Sequence, residues 1–292
     1  MGYTCFEIDE AEDVAHVRMS RPDKFNSMIP EFWRELPEIV DELSDSGRVR
    51  VIVLSSTGKH FCSGMDLSVF TGGSGTGDGA GDSAGDSAGE GAITEVGRQR
   101  AALRYNVLHL QGAFTALEQA RMPVLVAIQG GCVGGAVDMV TAADCRYATA
   151  DAWFCIQEIN IGMTADVGTL QRLPKLIPEG VARELAFTGR RMDAQRAASV
   201  GLVNEVFDDH ETMLSGVHEI AAEIASKSPL AVHGTKETIT YGRDHSVQDS
   251  LSYIAAWQTG MYQPADMMEC FSAKSEGREP KFDNLGPLRK GL

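Results

Sequence analysis

The spacing of apolar and polar positions predicts two strands, a helix and a third strand at the start of the chain. Alternating apolar residues indicate short strands over residues 6–9 and 14–19, joined by the turn EAED. Apolar side chains at helical spacing then predict a helix over residues 31–43. The run VRVIVLSS at residues 49–56 is typical of a strand that is buried on both faces.

Strands and helices continue to alternate through the middle of the chain. A long helix is predicted over residues 93–120, followed by the strand PVLVAIQG, the Gly-rich turn and helix of GGCVGGAVDM, and strand patterns in CRYATA and AWFCIQEI. From about Arg183 onward the pattern is nearly all helical. This alternation predicts an α/β fold with largely parallel pairing. We predict a core over residues 1–200 and a helical, oligomerising region over residues 201–292.

One segment interrupts this order and has nothing to bury. TGGSGTGDGAGDSAGDSAGEG, at residues 71–91, contains only Gly, Ser, Thr, Ala, Asp and Glu. We therefore predict a flexible, solvated insertion over residues 70–92. A tolerated insertion and an active-site lid both fit this composition.

Composition and charge narrow the classes of function. The chain has 292 residues, 43% of them hydrophobic, which is enough for a sizeable core. Its formal charge of -15 argues against nucleic-acid binding, since phosphate contacts need clustered Lys and Arg. We see no apolar run of about 18 residues and no signal-peptide pattern, so we expect a cytoplasmic protein without a membrane span. The six cysteines form no C-x-x-C pair and no metal-ligand spacing, which predicts free thiols and no metal site.

Two glycine-bearing turns are candidates for binding an anion through backbone N–H groups. HFCSGMDL, at residues 60–67, follows a buried strand and places Gly64 where the chain can turn sharply. GGCVGGAVDM, at residues 130–139, opens an apolar helix whose first N–H groups lack intrahelical partners. A plain turn would explain the first motif and close strand–helix packing the second, so neither decides a function alone.

Three carboxylates lie among mostly apolar or small residues. Asp138 is one helical turn beyond Gly135. Glu158 ends the strand pattern WFCIQE, and Asp166 precedes a helix that is predicted to begin at Val167. Ordinary roles are open for them: a structural hydrogen bond, a strand-end charge and a helix N-cap. The turn between Glu158 and Asp166 would also let both face one pocket, where paired acids acquire the separated pKa values that proton transfer needs.

The chain resembles the crotonase (enoyl-CoA hydratase/isomerase) superfamily in four successive motifs: SRPDKFNS, HFCSGMDL, IQGGCVGGAVDMVTAADCRYAT and WFCIQEINIG. The resemblance implies a spiral of ββα units and helical C-terminal trimerisation, as a homotrimer or a dimer of trimers. It implies an acyl-CoA thioester as ligand, with CoA as part of the substrate and no separate cofactor. The family's oxyanion hole maps onto the backbone N–H groups of Met65 and Gly135. The substrate-binding positions implied around it are Ser63, Gly64, Asp66 and Gly134.

The acids make the resemblance more specific. Asp138, Glu158 and a third acid in ADVGTLQRLPK together are similar to the 3,5-2,4-dienoyl-CoA isomerase branch, which implies an isomerase of fatty acid β-oxidation. Such an enzyme removes a proton beside the thioester and adds one four carbons further along, so two carboxyl groups on opposite sides suit it. The resemblance gives these roles to Glu158 and Asp166. We place Glu158 nearer the thioester, with Asp138 as a hydrogen-bonding or electrostatic partner.

Three other functions fit parts of the same pattern. They are a 2-enoyl-CoA hydratase, an isomerase that uses a single carboxylate, and a non-catalytic acyl-CoA-binding member of the family. The family resemblance implies that ordinary hydratases have Glu at the positions equivalent to 138 and 158, whereas this chain has Asp at 138. A non-catalytic member would not need three acids together with the oxyanion glycine.

Overall fold

Strands of two β-sheets form the frame of the protein. The computed structural model describes residues 2–66, 69, 95–262 and 264–288, so the predicted insertion at 70–92 lies outside the described residues. The strands are β1 (Phe6–Ala11), β2 (Val14–Met19), β3 (Val51–Ser56), β4 (Val124–Ile128), β5 (Gly131–Val133), β6 (Cys145–Thr149), β7 (Trp153–Cys155), β8 (Met192–Asp193) and β9 (Glu205–Phe207). The larger sheet has the order β1-β2-β3-β4-β6-β9, and the smaller one has the order β5-β7-β8.

Helices cover the sheets and form the C-terminal part of the chain. They are α1 (Pro30–Ser46), α2 (Val96–Gln119), α3 (Gly135–Ala142), α4 (Thr169–Leu176), α5 (Glu179–Thr188), α6 (Ala194–Ser199), α7 (His210–Ala225), α8 (Pro229–Gly242), α9 (Val247–Met261) and α10 (Pro264–Glu276). No helix in the described part of the chain is long and apolar enough to cross a membrane. All six cysteines are free thiols.

The larger sheet begins with a hairpin and continues in parallel. β1 and β2 pair antiparallel, and Glu12 and Asp13 between them adopt positive φ values of 50° and 65°. Two successive residues with positive φ match the turn geometry that suits the twist of a two-residue hairpin. The following neighbours, from β2 to β9, all pair in parallel. Parallel neighbours need crossover connections, which the helices supply.

Repeated ββα units explain how two sheets arise from one chain. β4 joins the larger sheet, β5 joins the smaller one, and α3 follows. β6 and β7 repeat this division before a 3-10 turn at Glu158–Ile161 and α4. The predicted α/β class and spiral of ββα units are confirmed. β5 and β7 pair in parallel, so their carboxyl ends, which precede α3 and the 3-10 turn, lie at the same edge of the smaller sheet.

The larger sheet is covered on both faces, as the apolar run at 49–56 predicts. Val51 and Val53 pack with Met213 and Val217 of α7, whereas Ile52 and its alternate neighbours belong to the main core beneath α1. Side chains of a strand alternate between the two faces, so burial of every β3 residue requires both layers. α1 runs from 30 to 46, slightly longer than predicted, and buries its apolar side against this core.

The C-terminal part contains more than helices. β9, at residues 205–207, pairs with β6 and completes the larger sheet, and α7 packs against that sheet. The sheet therefore extends past residue 200, where the sequence pattern placed a boundary. Beyond it, Lys236 of α8 is buried and its Nζ donates to Leu117 O, Met122 O and Asp144, which fixes α8 to the core.

Candidate active site

The loop after β3 and the turn before α3 lie side by side. Cys62 and Cys132 form a parallel bridge, in which Cys62 N donates to Gly131 O and Val133 N donates to Cys62 O. These bonds place the turn after residue 62 beside the glycines that open α3. Gly64 has a φ of +86°, and a Cβ there would lie 2.7 Å from Val133 O. The position therefore requires glycine.

Among the described residues, the amides of Met65 and Gly135 beside this junction have no hydrogen-bond partner. Gly135 is the first residue of α3, so its N–H has no intrahelical partner. The neighbouring amides are engaged: Gly64 N donates to Cys62 Sγ, and Asp66 N donates to Met28 O. No described residue accepts a hydrogen bond from Met65 N or Gly135 N.

Glu158 lies against the glycine pair that opens α3. β7 ends at Cys155, so the prediction that Glu158 ends a strand is wrong; it is the first residue of the 3-10 turn. Gly134 has a φ of +56°, and a Cβ on it would lie 3.1 Å from Glu158 Oε1. Glycine at 134 therefore leaves room for the carboxyl of Glu158 against the backbone just before α3. Glu158 is only partly exposed, and its Oε2 is buried without a partner among the described residues.

The surroundings of Glu158 favour its protonated form. Burial is the main cause that raises the pKa of Glu158 to about 7, and the nearby charges of Asp138 and Asp166 add to it. A hydrogen bond from its own backbone N–H acts in the opposite direction. A carboxyl group with this pKa exists in both protonation states near neutral pH, as a group that exchanges protons with a substrate must.

Asp138 is fully buried and links α3 to α4. Its Oδ1 accepts the backbone N–H of Thr169 at 2.6 Å, while Oδ2 has no partner in the described part of the chain. Burial raises the pKa of Asp138 to about 6, with the charge of Asp166 adding to the rise and the Thr169 bonds and Arg172 opposing it. Asp138 is thus a structural link as well as an acid of the site.

Asp166 lies in the irregular segment before α4. The predicted helix start at Val167 is wrong, and the open alternative of an N-cap role for Asp166 is excluded: α4 begins at Thr169, its N-cap is Gly168, and Asp138 supplies the capping carboxylate. Asp166 is the most exposed of the three acids. Burial by its surroundings nonetheless raises its pKa. Its charge also raises the pKa of both Asp138 and Glu158, so the three carboxyl groups form one electrostatic cluster.

The other predicted binding positions surround this cluster. Gly64 and Gly134 form the turns that expose the two free amides, whereas Ser63 is exposed and its backbone N–H donates to Phe25 O. Asp66 accepts a hydrogen bond of 2.6 Å from Ser27 Oγ. That bond gives Asp66 a structural task in joining its loop to the segment after β2. Across the described residues, no group of His, Cys, Asp and Glu could hold a metal ion.

We expect Asp138→Asn to flatten the pH dependence of stability. The folded-state pKa of about 6 exceeds the ordinary value of 3.8, so the contribution of Asp138 to stability is complete below pH 3.8 and is lost as pH rises through about 6. Asparagine keeps the oxygen that accepts the Thr169 N–H but carries no charge. Urea unfolding should therefore show the variant gaining free energy of unfolding relative to the parent between pH 4.5 and pH 7. A difference that does not change with pH would contradict this assignment.

Comparison with known proteins shows the family to which the chain belongs. The model of the Enoyl-CoA hydratase/isomerase family matches residues 9–82 and 76–285. The chain belongs to this family. It is 42% identical over 289 residues to the Delta(3,5)-Delta(2,4)-dienoyl-CoA isomerase, mitochondrial, of Homo sapiens, covering 98% of this chain and 84% of that protein. It is 40% identical to the peroxisomal isomerase of that name from Arabidopsis thaliana, covering 93% of each chain.

Solved structures of the family have the same fold. The enoyl-CoA hydratase of Bacillus anthracis superposes with a TM-score of 0.81 at 29% identity, covering 96% of this chain and 99% of that one. The predicted class, an isomerase of the enoyl-CoA hydratase/isomerase family, is confirmed by the similarity to the named relatives. The roles of individual residues stay predictions and rest on the geometry above.

Sequence patterns missed three residues that shape this family site. Thr169 binds Asp138, Arg172 lies beside Gly168, and Gln111 donates from α2 to the main-chain oxygen of Asp166. Thr169 and Arg172 belong to the ADVGTLQRLPK motif, but their partners lie in other helices, and Gln111 stands in no motif at all. The Gln111 and Asp138 contacts span 55 and 31 residues, so only the folded chain shows them.

Proposed function

We propose that this protein converts 3,5-dienoyl-CoA to 2,4-dienoyl-CoA. The observation that carries the proposal is the position of Glu158, whose carboxyl lies against Gly134, the residue that directly precedes the amide of Gly135. Asp138 and Asp166 complete the cluster, and a second carboxyl group suits a proton shift over four carbons. The names of the relatives from Homo sapiens and Arabidopsis thaliana support the same substrate class.

The backbone amides of Met65 and Gly135 would bind the thioester carbonyl oxygen. Loss of a proton from C2 leaves negative charge on that oxygen and along the diene, so the intermediate is a dienolate. Two preorganised N–H donors stabilise this charge more than they stabilise the neutral thioester. Such donors typically contribute about 100- to 1000-fold each to the rate.

Glu158 and Asp166 would carry the two proton transfers. Ionised Glu158 takes a proton from C2, and the electron pair of that C–H bond moves into the carbonyl to form the dienolate. Protonated Asp166 then gives a proton to C6, which leaves double bonds at C2–C3 and C4–C5. After one turnover Glu158 holds a proton and Asp166 is ionised. Before the next turnover Glu158 releases its proton to water, and Asp166, which is exposed, regains one from water.

Asp138 would influence Glu158 and Asp166 from the protein interior, through its charge and its hydrogen bond. Its charge raises the pKa of Glu158, and its bond to Thr169 fixes the start of α4 relative to α3. Because Asp138 is fully buried beneath the site, we assign it an electrostatic and positioning role, with the transfers left to Glu158 and Asp166.

The test is conversion of a 3,5-dienoyl-CoA by the purified protein, followed by the ultraviolet absorbance of the conjugated product. We expect rapid formation of the 2,4-diene and slow hydration of 2-enoyl-CoA. A hydratase is the second candidate, since the solved structure from Bacillus anthracis carries that title. Fast hydration without a diene shift would establish the hydratase instead. Binding of acyl-CoA with neither reaction would indicate a non-catalytic member.

The setting of this reaction is also part of the proposal. We propose a role in β-oxidation, with CoA as part of the substrate and no separate cofactor. The free thiols fit a reducing compartment such as the cytoplasm, whereas the named relatives are mitochondrial and peroxisomal. Fractionation of the source cells would decide the location.

A trimer or a dimer of trimers is the assembly that we propose. α9 buries none of its residues within the described chain, and Leu251 and Phe271 are exposed by 57% and 60%. A groove of about 250 Å³ between the last helices is lined by Leu230, Trp257 and Met261, among others. Such an apolar surface is typical of an interface. Light scattering that gives a monomer mass would contradict this assembly.

A further inference from the structure

One face of α2 holds the segment that carries Asp166. Gln111, Thr115 and Glu118 are four and three positions apart and therefore lie on the same side of the helix. Gln111 Nε2 donates a hydrogen bond of 2.7 Å to the main-chain oxygen of Asp166. This contact ties the helix to the peptide group that directly follows the Asp166 Cα.

Arg172 holds the other end of the same segment. Its Nη2 donates to Thr115 Oγ1 at 3.2 Å and pairs with Glu118 Oε2 at 3.1 Å. The guanidinium also occupies the space beside Gly168, where a Cβ would collide with Nη1. Thr115 Oγ1 in turn donates to the main-chain oxygen of Gln111 at 2.8 Å. Side chains on this face of α2 therefore contact both the main chain at Asp166 and the first turn of α4.

The segment itself has little else to fix it. Residues 163–168 form neither helix nor strand. Ala165 and Val167 are buried, so the alternate residue, Asp166, points away from the core. Within the described chain, Gln111 is the one hydrogen-bond donor to the main-chain oxygen of Asp166. The orientation of that peptide determines where the Asp166 carboxyl lies.

We propose that Gln111 is a positioning residue that orients the Asp166 carboxyl toward the far end of the dienolate. The inference rests on the proposed function and deepens it. A displacement of about 1 Å at a reacting group costs about 100-fold in rate. Loss of the Gln111 bond should therefore slow delivery of the proton to C6 while leaving removal of the proton from C2 intact.

The experiment replaces Gln111 with Met, which has a similar shape but no donor. We expect kcat for the diene shift to fall about 10- to 100-fold, with KM nearly unchanged. If protonation at C6 is slow, the dienolate is reprotonated at C2 more often and returns to substrate. In D2O the amount of deuterium exchanged into C2 per product molecule should therefore rise. A merely structural defect would lower exchange and turnover together and leave this ratio unchanged.

Matched variants keep the result decisive. Gln119→Met makes the same change at an exposed position, the last residue of α2, and should behave as the parent. Gln111→Glu keeps the shape of the side chain but its carboxylate cannot donate, so it should repeat the effect if the Met variant does not fold. If Gln111→Met or Gln111→Glu has the same kcat and the same exchange ratio as the parent protein, the positioning role is overturned. Absence of a diene shift in the parent protein would instead overturn the proposed function.

Discussion

Replacing Glu158 with glutamine is expected to lower kcat for the diene shift by about 1000-fold, within the range that a positioned general base contributes. Glutamine preserves the shape that fits against Gly134 but cannot accept the C2 proton. Since removal of that proton starts the reaction, deuterium exchange at C2 should fall with turnover. Stopped-flow absorbance and NMR of the substrate in D2O would measure the two effects.

The control for this change is Glu219→Gln, on the exposed side of α7. It alters the net charge in the same way and should keep parent activity. Glu158→Gln should remain folded, because it replaces a carboxyl whose charged form is disfavoured by burial. Parent rates in the Glu158 variant would show that another group is the base.

Replacing Asp166 with asparagine is expected to lower kcat by about 100- to 1000-fold through a different step. Asparagine cannot supply a proton to C6, but Glu158 can still form the dienolate. Exchange at C2 should therefore continue while product formation slows by that factor. The same pair of measurements thus distinguishes the two acids by the end of the diene at which each acts.

Asp208→Asn, an exposed substitution after β9, is the matched control for Asp166→Asn. If the Asp166 variant loses C2 exchange and the Glu158 variant retains it, the two roles are reversed. Loss of both in each variant, with folding intact, would mean that the acids act as one unit and cannot be assigned to separate ends.

Local patterns predicted most elements of the fold because each buries a regular apolar face. β3 and α1 illustrate this, since their apolar residues recur at the periods of a two-faced strand and an amphipathic helix. β9 was missed because it has only three residues and lies among helices. So short a strand is stabilised by pairing with β6, a contact that its own sequence does not reveal.

The local secondary structure around two of the three acids differs from the prediction. Glu158 follows an apolar run that predicts a longer strand, yet the chain turns after Cys155. Asp is a residue type favoured at N-caps, which made that role possible for Asp166. The structure instead has the buried carboxylate of Asp138, in α3, accepting the first N–H of α4. A capping partner 31 residues away in sequence leaves no local pattern. Gln111 was missed for the same reason.

The most direct test of two separate proton carriers uses 3,5-dienoyl-CoA deuterated at C2, converted by the parent protein in ordinary water. If Glu158 removes hydrogen at one end and Asp166 supplies it at the other, one of the two deuterium atoms leaves C2 for the solvent and the product carries a solvent proton at C6. Deuterium that moves from C2 to C6 within one molecule would mean that a single carboxyl group serves both ends, and would contradict the account.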